Sequence, residues 1–187
     1  THFSVARQCL LHPSVKVVFV EKPLASTLAE AQELDNLSKS LNKSIVVNFS
    51  RRFCPIFRRL KATIQRGDFG TIRLARAIYT KGFRHNGFHA FDLLQDWFHE
   101  VTLLSATTPP WLGKHDKQTC DPPLDVSFSL SEAGAGTMHC LSSQAYTLFE
   151  MDLCFEKGRL SLTDGGDVLE TSLVVEDRPF AGYKSLI

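Results

Sequence analysis

Val17-Val18-Phe19-Val20-Glu21-Lys22-Pro23 is the stretch from which the rest of the chain is read. Four β-favouring apolar residues in an unbroken run predict a strand buried on both faces, as in a parallel sheet. The run then stops on an acid, a lysine and a proline. Ligands of open α/β sheets gather beyond the carboxyl ends of the strands, so Lys22 is carried to a rim where chemistry is expected. Pro23 fixes its own φ, biases Lys22 toward extended backbone, and can follow a cis bond. The blander reading of Glu-Lys at a strand end is a solvated corner.

On either side of this strand the pattern is helical. Ser4 can cap a short helix with Val5, Ala6, Cys9 and Leu10 on its apolar side, stopped before Pro13. Thr27-x-x-Glu30 has capping-box spacing and opens a helix in which Leu28, Ala31, Leu34, Leu37 and Leu41 recur at intervals of three and four. Ser44-Ile45-Val46-Val47-Asn48-Phe49 reads as a second buried strand. Strand, helix and strand in that order form a βαβ unit. Residues 1–50 are therefore expected to be the C-terminal half of a doubly wound parallel sheet.

Residues 51–187 read differently. Pro55 and Gly67 bracket a helix with Ile56, Leu60 and Ile64 inward. A strand follows from Ile72 to Thr80, then a helix from about Gly87 to Glu100 with Phe88, Phe91, Leu94, Trp97 and Phe98 inward. Thr107 to Pro123, rich in Pro and Thr, is expected to be loop. The period then becomes two: Val126, Phe128 and Leu130 alternate with serines, and Phe149, Met151, Leu153 and Phe155 alternate with Glu150, Asp152 and Cys154. Glu156-Lys157-Gly158 and Asp164-Gly165-Gly166 are turn signals leading to Leu160, Leu162 and Val168 to Val175. Strands joined by such turns are antiparallel. The fold class expected is α/β plus α+β, with a mostly antiparallel sheet covered by helices in the second part.

Composition removes several function classes. The chain has 187 residues, 43% hydrophobic and 22% charged, with 21 basic against 20 acidic residues. A net charge of +1 gives no field for nucleic acid or an anionic membrane surface. No apolar run has the length of a membrane span, and no signal peptide opens the sequence. Five scattered cysteines (Cys9, Cys54, Cys120, Cys140 and Cys154) form neither a disulfide framework nor a CxxC knuckle. Reduced thiols in a cytoplasmic protein are expected, with Cys54 and Cys154 as core filler. Thr1-His2 runs straight into a helical pattern without an initiator Met, so the chain is expected to be an excerpt of something longer.

The chemistry-bearing residues concentrate on one helix. His89, Asp92, Asp96 and His99 recur at intervals of three and four, on one face. With Asn86 as N-cap, His89 would sit in the first turn, where the macrodipole lowers an imidazole's pKa and Asp92 raises it. Such a histidine suits a general base; the alternative is a polar face turned to water. Arg51-Arg52 and Arg58-Arg59 can clasp phosphate or carboxylate, or can be solvated charge. Gly134-x-Gly136 lacks a third glycine and reads as a turn or bulge. His89 and His99 lie too far apart along the helix to share a metal ion.

Four motifs in order resemble the glucose–fructose oxidoreductase/inositol dehydrogenase (Gfo/Idh/MocA-type) family: Val20-Glu21-Lys22-Pro23, Asn48-Phe49-Ser50-Arg51-Arg52-Phe53, Gly67-Asp68-Phe69-Gly70 and Gly87-x-His89-x-x-Asp92-Leu93. The likeness continues to Phe155-Glu156-Lys157-Gly158-Arg159-Leu160. It implies an NAD(P)-binding Rossmann domain joined to a substrate-binding and oligomerisation domain, and hydride transfer between NAD or NADP and a secondary alcohol of a sugar or cyclitol. By position, Lys22 would hydrogen-bond the reacting oxygen and His89 would take or return the hydroxyl proton. His2, Glu21, Lys22, Pro23 and Arg52 would lie on the cofactor side. Lys22, His85, His89 and Asp92 would lie on the substrate side. A homo-oligomer built through the C-terminal sheet is implied as well.

Two departures from that pattern carry consequences. His85 stands where the family commonly has an aspartate, although some relatives carry Asn-Gly before the histidine, as Asn86-Gly87 do here. The glycine-rich phosphate loop and its ribose-binding acid are absent; both would lie before Thr1. The chain alone is therefore expected to bind dinucleotide poorly and to turn over nothing. The rival expectations are a non-catalytic binding or assembly module, and an enzyme using bound NAD transiently in glycoside-modifying chemistry.

Overall fold

Two short parallel strands organise the first unit, Thr1–Ser50. The computed structural model describes residues 2–112, 121–131, 134–144, 146–176 and 181–187. Cys120, and with it the middle of the loop expected over Thr107 to Pro123, lies outside the described residues. β1 (Val17–Glu21) pairs with β2 (Ser44–Asn48), Val18 opposite Ile45 and Val20 opposite Val47. α1 (His2–Leu11) and α2 (Leu28–Ser40) share one core with them, built from Ala6, Leu10, Val18, Val20 and Leu34. The capping box expected at α2 is formed: the Glu30 amide donates to Thr27 Oγ1 at 3.2 Å, and the Thr27 amide donates to Glu30 Oε2 at 3.2 Å.

β1 is buried on one face only, which corrects the reading of its apolar run. Val18 and Val20 are each 7% exposed, whereas Val17 and Phe19 are 57% and 64% exposed. Successive side chains of a strand point to opposite faces, and α1 and α2 both pack on the Val18 and Val20 side. Val5 and Leu28, expected on the apolar sides of their helices, are also exposed.

The second unit, Arg51–Ile187, is helix on sheet. α3 (Pro55–Gln65) and α4 (Phe88–Phe98) cover one face of an eight-stranded sheet. Its strands are β3 (Ile72–Thr80), β4 (Val101–Thr107), β5 (Asp125–Leu130), β6 (Gly134–Leu141), β7 (Phe149–Phe155), β8 (Gly158–Thr163), β9 (Val168–Glu176) and β10 (Lys184–Leu186), in the order β10-β9-β8-β7-β3-β6-β5-β4. Neighbours are antiparallel except β3 and β6. The covered face carries Tyr79, Phe128, Leu130, Met138, Met151, Leu153, Leu160 and Leu162, against Phe57, Leu60, Leu93, Leu94 and Trp97 of the helices. Phe57, absent from the inward set expected for α3, is 3% exposed and stacks on Trp97 with ring centroids 6.3 Å apart. Among the described residues no helix is long and apolar enough to cross a membrane.

Three details differ from the sequence reading. β4 was not expected; it is an edge strand paired with β5, and Leu103 and Leu104 are exposed on it. Gly134-x-Gly136 is not a turn but the start of β6, near the middle of the sheet. A Cβ on Gly136 would stand 2.1 Å from the Phe128 ring on β5, so glycine is what lets that ring lie across the neighbouring strand. Cys154 is not core filler: it pairs with Leu74 on the face the helices leave open, while Leu153 and Phe155 point inward.

The open face is polar. Asp152 on β7 accepts hydrogen bonds from Arg76, from Arg159 Nη2 at 2.7 Å and from Ser161 Oγ at 2.7 Å. Glu156 pairs with Arg73 and accepts the Thr71 amide at 3.1 Å.

Candidate active site

The Glu21-Lys22-Pro23 corner lies at the carboxyl ends of β1 and β2. The Lys22–Pro23 bond is cis. Glu21 Oε1 accepts from Asn48 Nδ2 at 2.5 Å, which ties the ends of the two strands together. His2 Nδ1 donates to the Pro23 carbonyl at 2.8 Å, so the histidine expected on the cofactor side is held against this turn. Lys22 is half-buried. Among the described residues no glycine-rich turn opens a helix where the pyrophosphate would lie.

In the second unit the key segment is Phe83–Gly87, a π-helical turn that runs straight into α4. Asn86 is therefore not an N-cap. Its Nδ2 donates instead to the Leu148 carbonyl at 3.1 Å. The first amides of the helical run are taken by Asp121, which accepts from the Arg84 amide at 2.6 Å and from the His85 amide at 2.8 Å. A carboxylate on free helix-start amides is the stabilising arrangement. His89 consequently sits inside the helical run, and the macrodipole argument made for it from sequence loses its footing. His99 is off the shared face as well: it ends α4 with φ at +61° and is exposed.

Asp92 is 6% exposed and is clamped by Arg52, Nε to Oδ2 at 2.7 Å and Nη2 to Oδ1 at 2.5 Å. Burial pushes the Asp92 carboxyl up, and the Arg52 bonds pull it down by less. The same bond raises Arg52. With two charge-assisted bonds in place, we take the pair as ionised. Asp96 joins through Lys61 Nζ at 2.7 Å and Arg52 Nη1 at 3.6 Å. The Asp96 side of α4 is therefore not a face turned to water, and Arg52 and Asp92, expected on the cofactor and substrate sides, are hydrogen-bonded to each other.

Beside the Phe83–Gly87 turn opens a cleft of about 190 Å³, lined among others by Arg51, Lys81, His85, Asn86, Thr147 and Phe149. His85 is exposed here, and His89 is half-buried one turn further along. Arg51, weighed from sequence only as one of two basic pairs, is seated against this cleft: its guanidinium carbon lies 3.8 Å from the Phe149 ring centroid, and Nη1 donates to the Gly165 carbonyl at 2.6 Å. Asp121 was missed altogether, for it lies in a stretch read only as loop. Among the described residues no group of three or more His, Cys, Asp or Glu is placed to hold a metal ion.

Comparison with known proteins gives these residues a setting. Residues 1–49 match the family model GFO_IDH_MocA, described as an oxidoreductase family with a NAD-binding Rossmann fold. The chain belongs to the Gfo/Idh/MocA oxidoreductase family. Among curated relatives, it is 33% identical over 129 residues to a protein of Salmonella typhimurium named putative oxidoreductase YceM, an alignment covering 69% of this chain and 38% of that protein. To the inositol 2-dehydrogenase of Rhodococcus jostii it is 32% identical over 105 residues, covering 55% of this chain and 28% of the relative. Among solved members, an inositol dehydrogenase homologue from Azotobacter vinelandii, crystallised with NADH and myo-inositol, superposes with a TM-score of 0.71 over 98% of this chain and 58% of that one, at 18% identity. That last likeness shows a common Gfo/Idh/MocA fold. The chain spans well under half the length of these two curated relatives.

Proposed function

We propose that this chain contributes the nicotinamide-side end of a Rossmann domain and the substrate domain of an NAD(P)-dependent oxidoreductase acting on a secondary alcohol of a sugar, cyclitol or related compound. The observation that carries the reading is the Glu21-Lys22-Pro23 corner, lying at two parallel strand ends in a unit that matches a NAD-binding family. Bound nicotinamide would accept or return hydride. Lys22 would donate a hydrogen bond to the reacting oxygen and steady its developing negative charge. His89 would take the hydroxyl proton, because hydride leaves carbon only as the oxygen is deprotonated. The Arg52–Asp92 clamp would hold α4, and with it His89, at a fixed height. Asp121 would hold the turn that presents His85. The crystallised inositol dehydrogenase homologue, bound to NADH and a cyclitol, supports both the cofactor and the substrate class.

The polar open face of the second unit, with its Arg76–Asp152–Arg159 network, is proposed as the surface that pairs two copies of the chain. A cytoplasmic setting agrees with the scattered cysteines, among which the four described are free thiols.

The test is hydride transfer in a protein that joins this chain to a complete dinucleotide-binding unit, followed by nicotinamide absorbance across sugars and cyclitols. Turnover with at least one secondary alcohol, lost on Lys22→Ala with the fold intact, is the expected result. Activity unchanged by Lys22→Ala removes Lys22 from the mechanism. One observation favours the rival assembly module: His85 stands in the place of the family's acid, and the carboxylate that reaches this turn, Asp121, is given to backbone amides.

A further inference from the structure

We propose that the cleft beside the Phe83–Gly87 turn takes an anionic substituent of the substrate, a carboxylate or a phosphate. The compound handled would then be a sugar acid or sugar phosphate rather than a neutral polyol. Its lining includes two cations, Arg51 and Lys81, the imidazole of His85, the amide of Asn86 and the hydroxyl of Thr147, and, among the described residues, no carboxylate. Two acids lie near the lining residues. Asp121 faces the amides of Arg84 and His85, and Asp167 lies close enough to Arg51 to offset part of its charge.

Arg51 is the fixed element. Stacked on Phe149 and bonded to the Gly165 carbonyl, its guanidinium has given up rotamer freedom before any ligand arrives. Burial disfavours its charged form. A guanidinium stays protonated nonetheless, so an anion placed beside it recovers electrostatic energy that a neutral hydroxyl recovers poorly. Lys81 adds a second positive charge on an exposed, flexible stem.

Size and place agree. A cleft of about 190 Å³ holds roughly six waters at about 30 Å³ each, enough for a carboxylate or phosphate with its adjoining carbon. His85 lies four residues before His89 on one unbroken helical run, about one turn or 5.4 Å along the axis. An anion held at His85 would lie about one helical turn from His89 along the axis.

The inference rests on the oxidoreductase reading for what the bound compound is, whereas the binding preference stands apart from it. Isothermal titration of the 187-residue chain with glucuronate, glucose 6-phosphate and glucose, at low and high salt, tests it directly. At least one anion should bind, with affinity falling as salt rises, and glucose should bind at least about tenfold more weakly. Lys81→Gln should weaken the anion about tenfold, and His85→Gln should weaken it in the same direction, with circular dichroism unchanged in both. Tighter binding of glucuronate identifies the substituent as carboxylate, and of glucose 6-phosphate as phosphate. Equal affinity for glucose, no binding of either anion, or anion affinity unmoved by both substitutions overturns the proposal. Loss of hydride transfer with every alcohol in the longer protein, with anion binding intact, would overturn the oxidoreductase reading and leave the cleft's preference standing.

Discussion

Arg52 and Asp92, forty positions apart in sequence, meet through two hydrogen bonds of 2.7 and 2.5 Å and join the segment before α3 to the middle of α4. One partner is nearly closed to solvent, and the other is 38% exposed. Replacing Asp92 with Ala removes both short hydrogen bonds and leaves Arg52 its 3.6 Å contact with Asp96. A fully buried pair broken this way costs about 3–5 kcal/mol, and the exposure of Arg52 trims the expected loss to about 2 kcal/mol. Urea denaturation of the 187-residue chain measures it, and a loss below about 0.5 kcal/mol would show that the clamp holds nothing.

Acid should weaken the open face of the sheet. Burial pushes the Asp152 carboxyl up, but bonds from Ser161, Arg159 and Arg76 more than offset this and hold it below its ordinary 3.8. A carboxyl with a depressed folded value contributes stability that is fully present above the unfolded value and is lost as pH falls through the folded one. Stability of the native chain should therefore drop more steeply below about pH 4 than that of Asp152→Asn. Parallel acid limbs in the two proteins would exclude this carboxylate from the transition.

Gly136 has no room for a side chain. With a Cβ only 2.1 Å from the Phe128 ring, Gly136→Ala should cost about 1–3 kcal/mol by forcing that ring aside. Phe128→Leu alone should also destabilise, since it empties part of a fully packed layer. Combined, the two should lose less than the sum of the singles, as measured in a thermal-denaturation cycle. Strict additivity would mean that glycine is kept there for its backbone alone.

In the longer enzyme, His89→Gln should lower kcat by about a hundred- to ten-thousandfold, the usual contribution of a positioned base. The substrate's KM should move far less. The remaining rate should climb with pH as hydroxide takes over the proton. A kcat unchanged by His89→Gln would assign the proton to another group.

Much of the frame was legible because periodicity carries it. β3 was read with the bounds it has, and the alternation of β5 and β7 named their inward residues. β4 escaped because its exposed Leu103 and Leu104 are consecutive, with a register shift against β5 between Leu103 and Ser105, so no alternation marks it. β6 escaped because glycines stand where bulky inward residues would have marked a strand. In the site, the Glu21-Lys22-Pro23 stretch marked the turn at the end of β1, against which His2 is bonded. Asp121 and the Arg52–Asp92 pairing were not marked, because both depend on long-range approach that no local spacing encodes.

The parallel pairing of β3 with β6 sets an order of events for a chain leaving the ribosome. Ala77 on β3 finds its neighbours at Met138 and Met151, both more than sixty residues later. Until those residues emerge, the central strand has two unmet edges, and α3 and α4 have no finished floor to lie on. Synthesis thus leaves Tyr79, Leu93 and Trp97 uncovered while more than fifty further residues are made. Slow closure of this kind invites chaperone capture, and any truncation ahead of β7 should leave an aggregating stub rather than a smaller working domain.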